Sequence, residues 1–381
     1  METTPWHATT PRLDRVLPAV ATSLGVPGLA RGGDRALPPA RRSVVVLVDG
    51  LGARLLARRA GHAPFLRGLL QGGESAMTID CGFPSTTATS MGTFGTGTLA
   101  GAHGLVGYEA YDPDSDRVFN ELSWEDGPEP HLWQPAPTVF EAAEAAGVAV
   151  TRIGPGFFDG SGLTEAALRG GRFVAAKGLA DRVDATVTAL RAQPRSLVYL
   201  YWGDVDKIGH VYGCDSLEWV AELEEVDAQL ARLANLLPSD TSLHVTADHG
   251  MVDVALDARP DLAHDPELDA GVRLVSGEPR CVQLHVRPGA LQDVLTTWRS
   301  RLGDDALVIT ADEAIDSGWF GQVRDAVRPR IGDVIAAMTG PVAVVDSRRH
   351  RPELRALLGV HGSITDDEVA IPWLTLPARE Q

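Results

Sequence analysis

Between Cys81 and Gly97 the chain reads CGFPSTTATSMGTFGTG, which puts five hydroxyl residues (Ser85, Thr86, Thr87, Thr89 and Ser90) into six positions. A strand-like run, AMTID, precedes them, and small residues and glycines follow. The hydroxyls therefore stand on a turn that leads into a tightly packed helix. Ser and Thr are favoured helix N-caps, so the stretch by itself fits a structural use. The chemical use is a nucleophile presented at the turn. A free hydroxyl is a weak nucleophile near neutral pH and needs a base or a cation beside it.

Residues able to hold cations recur elsewhere. SVVVLVDGLG is a β-branched run that ends at Asp49, followed by Gly50 and Gly52. Sites in α/β sheets form at the carboxyl ends of buried strands, and an Asp there costs desolvation unless it is paired or bound to a cation. GDVDKIGH carries Asp206 and His210 four positions apart, a spacing that one helical turn brings to one side. TADHG sets Asp248 beside His249. Adjacent residues point apart in a regular strand, so both serve one site only where the strand breaks, and Gly250 marks that break. VHGS adds His361 beside Gly362. Each motif alone is common by chance. Together they supply three Asp and three His, about what two divalent ions need when positions stay open for substrate. The mixed nitrogen and oxygen donors suit zinc, with manganese as the alternative.

In order, the motifs are VVLVDGLG, FPSTTATS with GTGTLAGAHGLVGY, DVDKIGH, VTADHGM and GVHGS. In order and spacing the chain resembles the alkaline phosphatase superfamily, and within it the type I phosphodiesterase/nucleotide pyrophosphatase family, over nearly its whole length. The resemblance implies two zinc sites, one from Asp206, His210 and His361, the other from Asp49, Asp248 and His249 with the nucleophile as a further ligand. In that family the nucleophilic threonine lies nine residues before the Thr of a TG pair. Thr96–Gly97 is the pair here, which implies Thr87, with Thr86 one slip of alignment away. Ser90 stands where family members use an Asn to bind the phosphate, and is the implied substrate-binding residue, with a shorter reach.

The implied reaction is hydrolysis of a small phosphate ester, a phosphodiester or nucleotide pyrophosphate, through a covalent phospho-threonine. A phosphomonoesterase, phosphonate hydrolase or phosphomutase on the same fold is the alternative. A non-catalytic binding protein would have lost ligands, and none of the six is lost. A sulfatase is discounted, because Cys81 is out of register with the modifiable position and the following Arg is missing.

To position these residues the strands and helices must alternate, and they do. SVVVLV, VAVTRIG, SLVYLYW and SLHVTA read as buried strands between helical periods. The expected fold is α/β, a doubly wound, largely parallel sheet with helices on both faces. The rhythm changes after Met251, so residues 256–354 are expected to form a smaller inserted α+β subdomain within a catalytic core of 1–255 and 355–381. Residues 1 to 42 read as a leader on the core surface, 112–136 as an excursion over the surface, and GRFVAAKGLADRVDATVTALRAQ as one helix. Tyr108, Asn120, Trp124, Trp133, Phe157 and Phe158 are candidates to line a leaving-group pocket, and His103 to order the loop after the hydroxyl-bearing helix.

Composition bounds the partners. The 381 residues carry a formal net charge of −17, which argues against a nucleic-acid polymer or an anionic membrane as partner. A small phosphate-bearing substrate stays compatible, because bound cations reverse the local field. Cys81, Cys214 and Cys281 form no CxxC pair and suggest buried thiols. No signal peptide and no apolar run of spanning length is read, so a cytoplasmic protein is expected. No feature of the sequence specifies an oligomeric state.

Overall fold

The computed structural model describes residues 11–30 and 35–379. The first ten residues, part of the expected leader and of the stretch read as lacking a signal peptide, lie outside the described residues. A seven-stranded sheet forms the centre, in the order Ala76–Asp80, Ala370–Leu376, Thr241–Thr246, Arg42–Val48, Ser196–Trp202, Ala149–Gly154, Arg172–Ala175. All neighbouring pairs are parallel except those made by Ala370–Leu376, which runs antiparallel to both of its neighbours. Val44 to Val48 are fully buried, as an unbroken β-branched run requires when helices cover both faces of a parallel sheet. The expected doubly wound fold is what the chain adopts.

A second, six-stranded sheet is antiparallel throughout: Ala306–Thr310, Val334–Met338, Cys281–Val286, Val272–Glu278, Glu109–Asp112, Arg117–Asn120. Helix Leu291–Leu302 packs Trp298 and Leu295 into its own apolar cluster with Leu284 and Met338. The last two strands come from a hairpin far upstream, within and beside the stretch read as a surface excursion. That stretch is not all surface: Glu121, Trp133 and Gln134 are buried. The Glu121 carboxylate accepts from the Val106 and Gly107 amides and from Trp133 Nε1, which makes its burial tolerable.

Two other expectations are corrected. Arg172–Ala175 is the edge strand of the main sheet and not the start of a helix, which begins only at Leu179. Gly170 and Gly171 turn the chain at positive φ, and the β-prone Phe173 and Val174 find partners on Ala149–Gly154. The piece at Leu13–Ser23 buries Leu13, Val16, Leu17 and Val20 completely within the main core, so it belongs to that core and not to its surface. The two sheets are joined by a buried ion pair. Arg280 Nη2 lies 2.6 Å from Glu368 Oε2 and Arg280 Nε donates to Oε1 at 3.1 Å. All three cysteines are free and buried. Among the described residues no helix is long and apolar enough to cross a membrane.

Candidate active site

The carboxyl ends of three adjacent parallel strands supply most of the site. Asp49 follows Arg42–Val48, Asp206 opens the helix Asp204–Tyr212 after Ser196–Trp202, and Asp248 and His249 lie in the loop after Thr241–Thr246. The backbones crowd here. A Cβ on Gly50, which sits at φ +72, would meet the Asp206 backbone at 2.9 Å, and one on Gly250 would meet the Asp367 carbonyl oxygen at 2.1 Å. These glycines let the strand ends approach one another closely.

The six Asp and His residues come together. His249 Nε2 lies 3.4 Å from Asp49 Oδ1 and 3.5 Å from Asp248 Oδ2. Asp206 lies 3.2 Å from His210 Nε2 through one oxygen and 3.8 Å from His361 Nε2 through the other. The His249 and His361 rings stack at 3.6 Å, so the two halves adjoin. Two compact donor sets result, Asp49–Asp248–His249 and Asp206–His249–His361, with His210 attached through Asp206. His249 reaches both, where the sequence assigned it to one.

Each histidine is oriented alike. The Nδ1 atoms of His210, His249 and His361 lie 2.6, 3.1 and 2.9 Å from the carbonyl oxygens of Gly359, Gly250 and Ser85. A carbonyl oxygen only accepts, so Nδ1 carries a proton in all three and Nε2 is the atom turned to the carboxylates. That is how an imidazole is held to bind a metal. The carboxylates are likewise divided. Asp49 Oδ2 accepts from the Tyr201 hydroxyl at 2.5 Å, and Asp248 Oδ1 accepts from the Gly50 and His249 amides. Asp49 Oδ1, Asp206 Oδ1 and Asp248 Oδ2 are buried with no hydrogen-bond partner. Three orphaned carboxylate oxygens beside the Nε2 atoms of His249 and His361 are a donor set that fits divalent cations.

Electrostatics agree. Burial, then the charges of Asp248 and Asp206, push Asp49 well above the ordinary carboxylate range. Burial also raises Asp248, against the pull of His249. Burial works against ionised Asp206 too, but His210 and its neighbours outweigh it and lower that carboxyl. Burial and the adjoining His249 hold His361 well below the ordinary imidazole value, which keeps it neutral.

The hydroxyl stretch resolves into distinct positions. Helix Thr87–Thr96 starts at Thr87, with no side chain capping its first amides. Thr87 Oγ1 lies 3.1 Å from His249 Nε2 and lines an open cleft with Asp49 and Asp206. Burial raises the Glu278 carboxyl, and the Thr86 hydroxyl close to it opposes that rise. Ser85 donates to the Ser363 carbonyl. Ser90 is not brought to the cleft: it is buried and its hydroxyl donates to the Asp248 carbonyl at 2.7 Å. Its proton is committed to holding the strand end, because one turn into the helix its side chain faces that loop.

The cleft is about 400 Å³. Tyr108, Asn120, Phe157 and Phe158 line it as expected. Trp124 and Trp133 do not: their indole nitrogens donate to the Pro128 carbonyl and to Glu121, and both rings pack on Phe119. His103 is buried and bonds Thr93 and the Leu105 amide, ordering the loop. Sequence reasoning missed Tyr201, Phe173 and Arg152. SLVYLYW held a signal for Tyr201, since it shares a face with Tyr199 two residues before the strand end. RFVA and VTRIG held none, because their placement beside the cleft depends on strand order.

The sequence pattern of the type I phosphodiesterase/nucleotide pyrophosphatase family matches residues 43–364. An uncharacterized pyrophosphatase/phosphodiesterase of Schizosaccharomyces pombe is 26% identical over 216 residues, covering 55% of this chain and 44% of that protein. The chain thus spans less than half the length of that curated relative. Murine ectonucleotide pyrophosphatase/phosphodiesterase 5, solved in complex with AMP, superposes with a TM-score of 0.72 at 19% identity, covering 89% of this chain and 88% of the other. Phosphonoacetate hydrolase from Sinorhizobium meliloti, solved with phosphonoacetate, gives a TM-score of 0.68 at 20% identity over 92% of this chain and 94% of the other. At these identities the two structures share the fold with this chain.

Proposed function

The chain belongs to the type I phosphodiesterase/nucleotide pyrophosphatase family, and on that footing we propose that it is a two-metal-dependent hydrolase of small phosphate esters, with Thr87 as nucleophile and phosphodiesters or nucleotide pyrophosphates as substrates. The observation that carries the reading is the common orientation of His210, His249 and His361, each with Nδ1 on a carbonyl and Nε2 facing an Asp carboxylate, the oxygens that face His249 and His361 having no hydrogen-bond partner. Asp206, His210 and His361 would hold one cation, and Asp49, Asp248, His249 and Thr87 the other. Zinc matches the donor set best, with manganese next. When bound, such cations lower the pKa of a coordinated hydroxyl and offset charge on phosphate oxygens.

The chain's own residues supply the rest. Thr87 stands at the first position of its helix, so the free amides of that first turn offer donors to a phosphate. The hydroxyl is aimed by its contact with His249 Nε2. Attack on phosphorus forms the Thr87 Oγ1–P bond as the hydroxyl gives up its proton, and breaks the P–O bond to the leaving alkoxide or phosphate, which takes up a proton in turn. Water then cleaves that bond and restores the threonine. Phe158 and Tyr201, packed edge to face with ring centroids 5.4 Å apart, give the cleft one aromatic wall, a surface that suits a planar leaving group.

Replacement of Thr87 by Ala should abolish turnover of bis-p-nitrophenyl phosphate while two equivalents of zinc remain bound. Replacement of Thr86, whose hydroxyl lies close to Glu278, should spare most of it. Full activity in Thr87→Ala would end this mechanism. Comparison with p-nitrophenyl phosphate decides between diester and monoester preference.

A further inference from the structure

We propose that the cleft accepts a phosphate ester whose leaving group is planar and carries a second oxyanion at its far end, held by the guanidinium of Arg152. The inference rests on the hydrolase reading and adds a substrate class to it. Arg152 lies on Ala149–Gly154 and is only 7% exposed, yet it lines the same cleft as Thr87 and Asp49. Its one side-chain hydrogen bond among the described residues is long, from Nη2 to the Gly171 carbonyl at 3.4 Å. Nε and Nη1 are buried with no partner. Glu165, Asp159 and Glu144 favour its charge only from a distance, and no carboxylate among the described residues pairs with it. Its one close ring is Phe173, with the centroid 5.8 Å from Cζ.

An unpaired cation in a wall of this kind is costly, and the cost falls when an anion arrives from outside. A guanidinium presents a flat fork of donors that matches carboxylate and phosphate oxygens alike.

Register sets the face and the reach. Arg152 is aligned with Tyr199, and Tyr199 with Val45, on successive parallel strands. Aligned residues of parallel strands share a face, and Tyr199 points its hydroxyl to Met91 of the helix that bears Thr87. Arg152 is therefore on the reacting face. It is two strands away from the Asp49 strand, about 10 Å across at the usual strand spacing, and, level with Val45, four residues or about 13 Å back along it, so about 16 Å separates the two backbone positions and the long Arg side chain spans part of that distance. A group attached directly to the phosphorus would fall short of that distance. One aromatic ring between phosphorus and anion bridges what the side chain leaves, and Phe158 and Tyr201, packed edge to face on each other, form one apolar wall beside it.

The test is calorimetric and needs no turnover. The zinc-loaded full chain is titrated with phenylphosphonate, 4-carboxyphenylphosphonate, 1,4-phenylenediphosphonate and phosphonoacetate. In the wild type the distal anion should tighten binding over phenylphosphonate by roughly 10- to 100-fold, the worth of charge-assisted hydrogen bonds. Phosphonoacetate should gain nothing from its carboxylate. Whether the carboxylate or the phosphonate gains more identifies the natural group. Arg152→Met should erase the gain, leave phenylphosphonate within about threefold, and melt no lower than the wild type without ligand, since it removes an unpaired buried charge. Arg152→Lys should keep part of the gain. Equal wild-type affinity with and without the distal anion would overturn the proposal. So would a gain that survives in Arg152→Met, or a large fall in ligand-free melting temperature with no change in anion preference. The hydrolase reading fails separately, on full turnover by Thr87→Ala.

Discussion

Tyr201→Phe removes one hydroxyl that touches no substrate atom in the proposed reaction, yet it should weaken metal binding at one of the two proposed sites. The Tyr201 hydroxyl donates to Asp49 Oδ2 at 2.5 Å, with Asp49 only 3% exposed. That bond orients the carboxylate so that Oδ1 faces His249 at 3.4 Å. A hydrogen bond to a buried ionised group is worth about 1.5–3 kcal/mol. Loss of a partner that orients a metal ligand costs about 10- to 100-fold in affinity, or about 1.4–2.8 kcal/mol, so the two estimates meet. The sign of the pH effect follows from the same contacts. Burial and the charges of Asp248 and Asp206 already raise Asp49, and the Tyr201 bond is the force opposing them. Without it Asp49 holds its proton more tightly, and that proton must leave before a cation binds. Zinc affinity should therefore fall further at pH 6 than at pH 8. A competition titration against a chromophoric chelator resolves two equivalents. The expected result is one weakened equivalent and one unchanged. Two unchanged equivalents at both pH values would refute the assignment of Tyr201 as the group positioning Asp49.

Other perturbations test the frame around the site. Glu368→Gln breaks the buried pair with Arg280 and should cost about 3–5 kcal/mol in urea unfolding, because it strands a buried cation; pairing it with Arg280→Met should recover much of the loss, and a double variant no better than the single would count against this account. Burial holds His103 and His244 down to about 3 and His285 to about 4. Native imidazoles that stay neutral while unfolded ones titrate near 6.5 give stability that is complete above that pH and lost as pH falls. Each should cost about 2 kcal/mol by pH 5, so chelator-treated protein should melt markedly lower at pH 5 than at pH 7.5, and an unchanged melting temperature would contradict the shifts. Gly95→Ala would set a methyl 1.8 Å from the Ala167 carbonyl oxygen, forcing apart the helix Thr87–Thr96 and its neighbour Gly162–Ala167. It should destabilise by at least about 1–3 kcal/mol in the same urea assay and slow turnover by displacing Thr87, whereas a silent substitution would show that the helix can shift freely.

The Asp and His motifs were legible in the chain because each is local. A β-branched run followed by Asp49-Gly50, an Asp206/His210 pair at helical spacing, and Asp248-His249 before Gly250 each state their own geometry within a few residues. The alternation of apolar strands and helical periods stated the doubly wound sheet for the same reason. The second sheet was only partly legible: the change of rhythm after Met251 marked the region that holds four of its strands, but the hairpin at 109–120 joins through a single register contact, Gly277 with Glu109, that no local pattern encodes.

The hydroxyl cluster marks the boundary between the two kinds of information. Cys81 to Gly97 by itself fitted a helix cap as well as a nucleophile, and the family resemblance, through the distance to Thr96–Gly97, implied Thr87. Which hydroxyl meets which partner was decided by folding alone. Thr86 and Thr87 are neighbours in sequence but lie on either side of the helix start, one close to Glu278 from the second sheet and the other on His249 from the first. Ser90, one turn on, faces the Asp248 carbonyl and not the cleft. Tyr201 and Arg152 enter the site through strand adjacency, an arrangement of segments far apart in the chain. Side-chain direction on a strand has a period of two that sequence reveals, but the neighbour across the sheet is set by topology, and that is where the orientation of Asp49 and the chemistry of the far end of the cleft were determined.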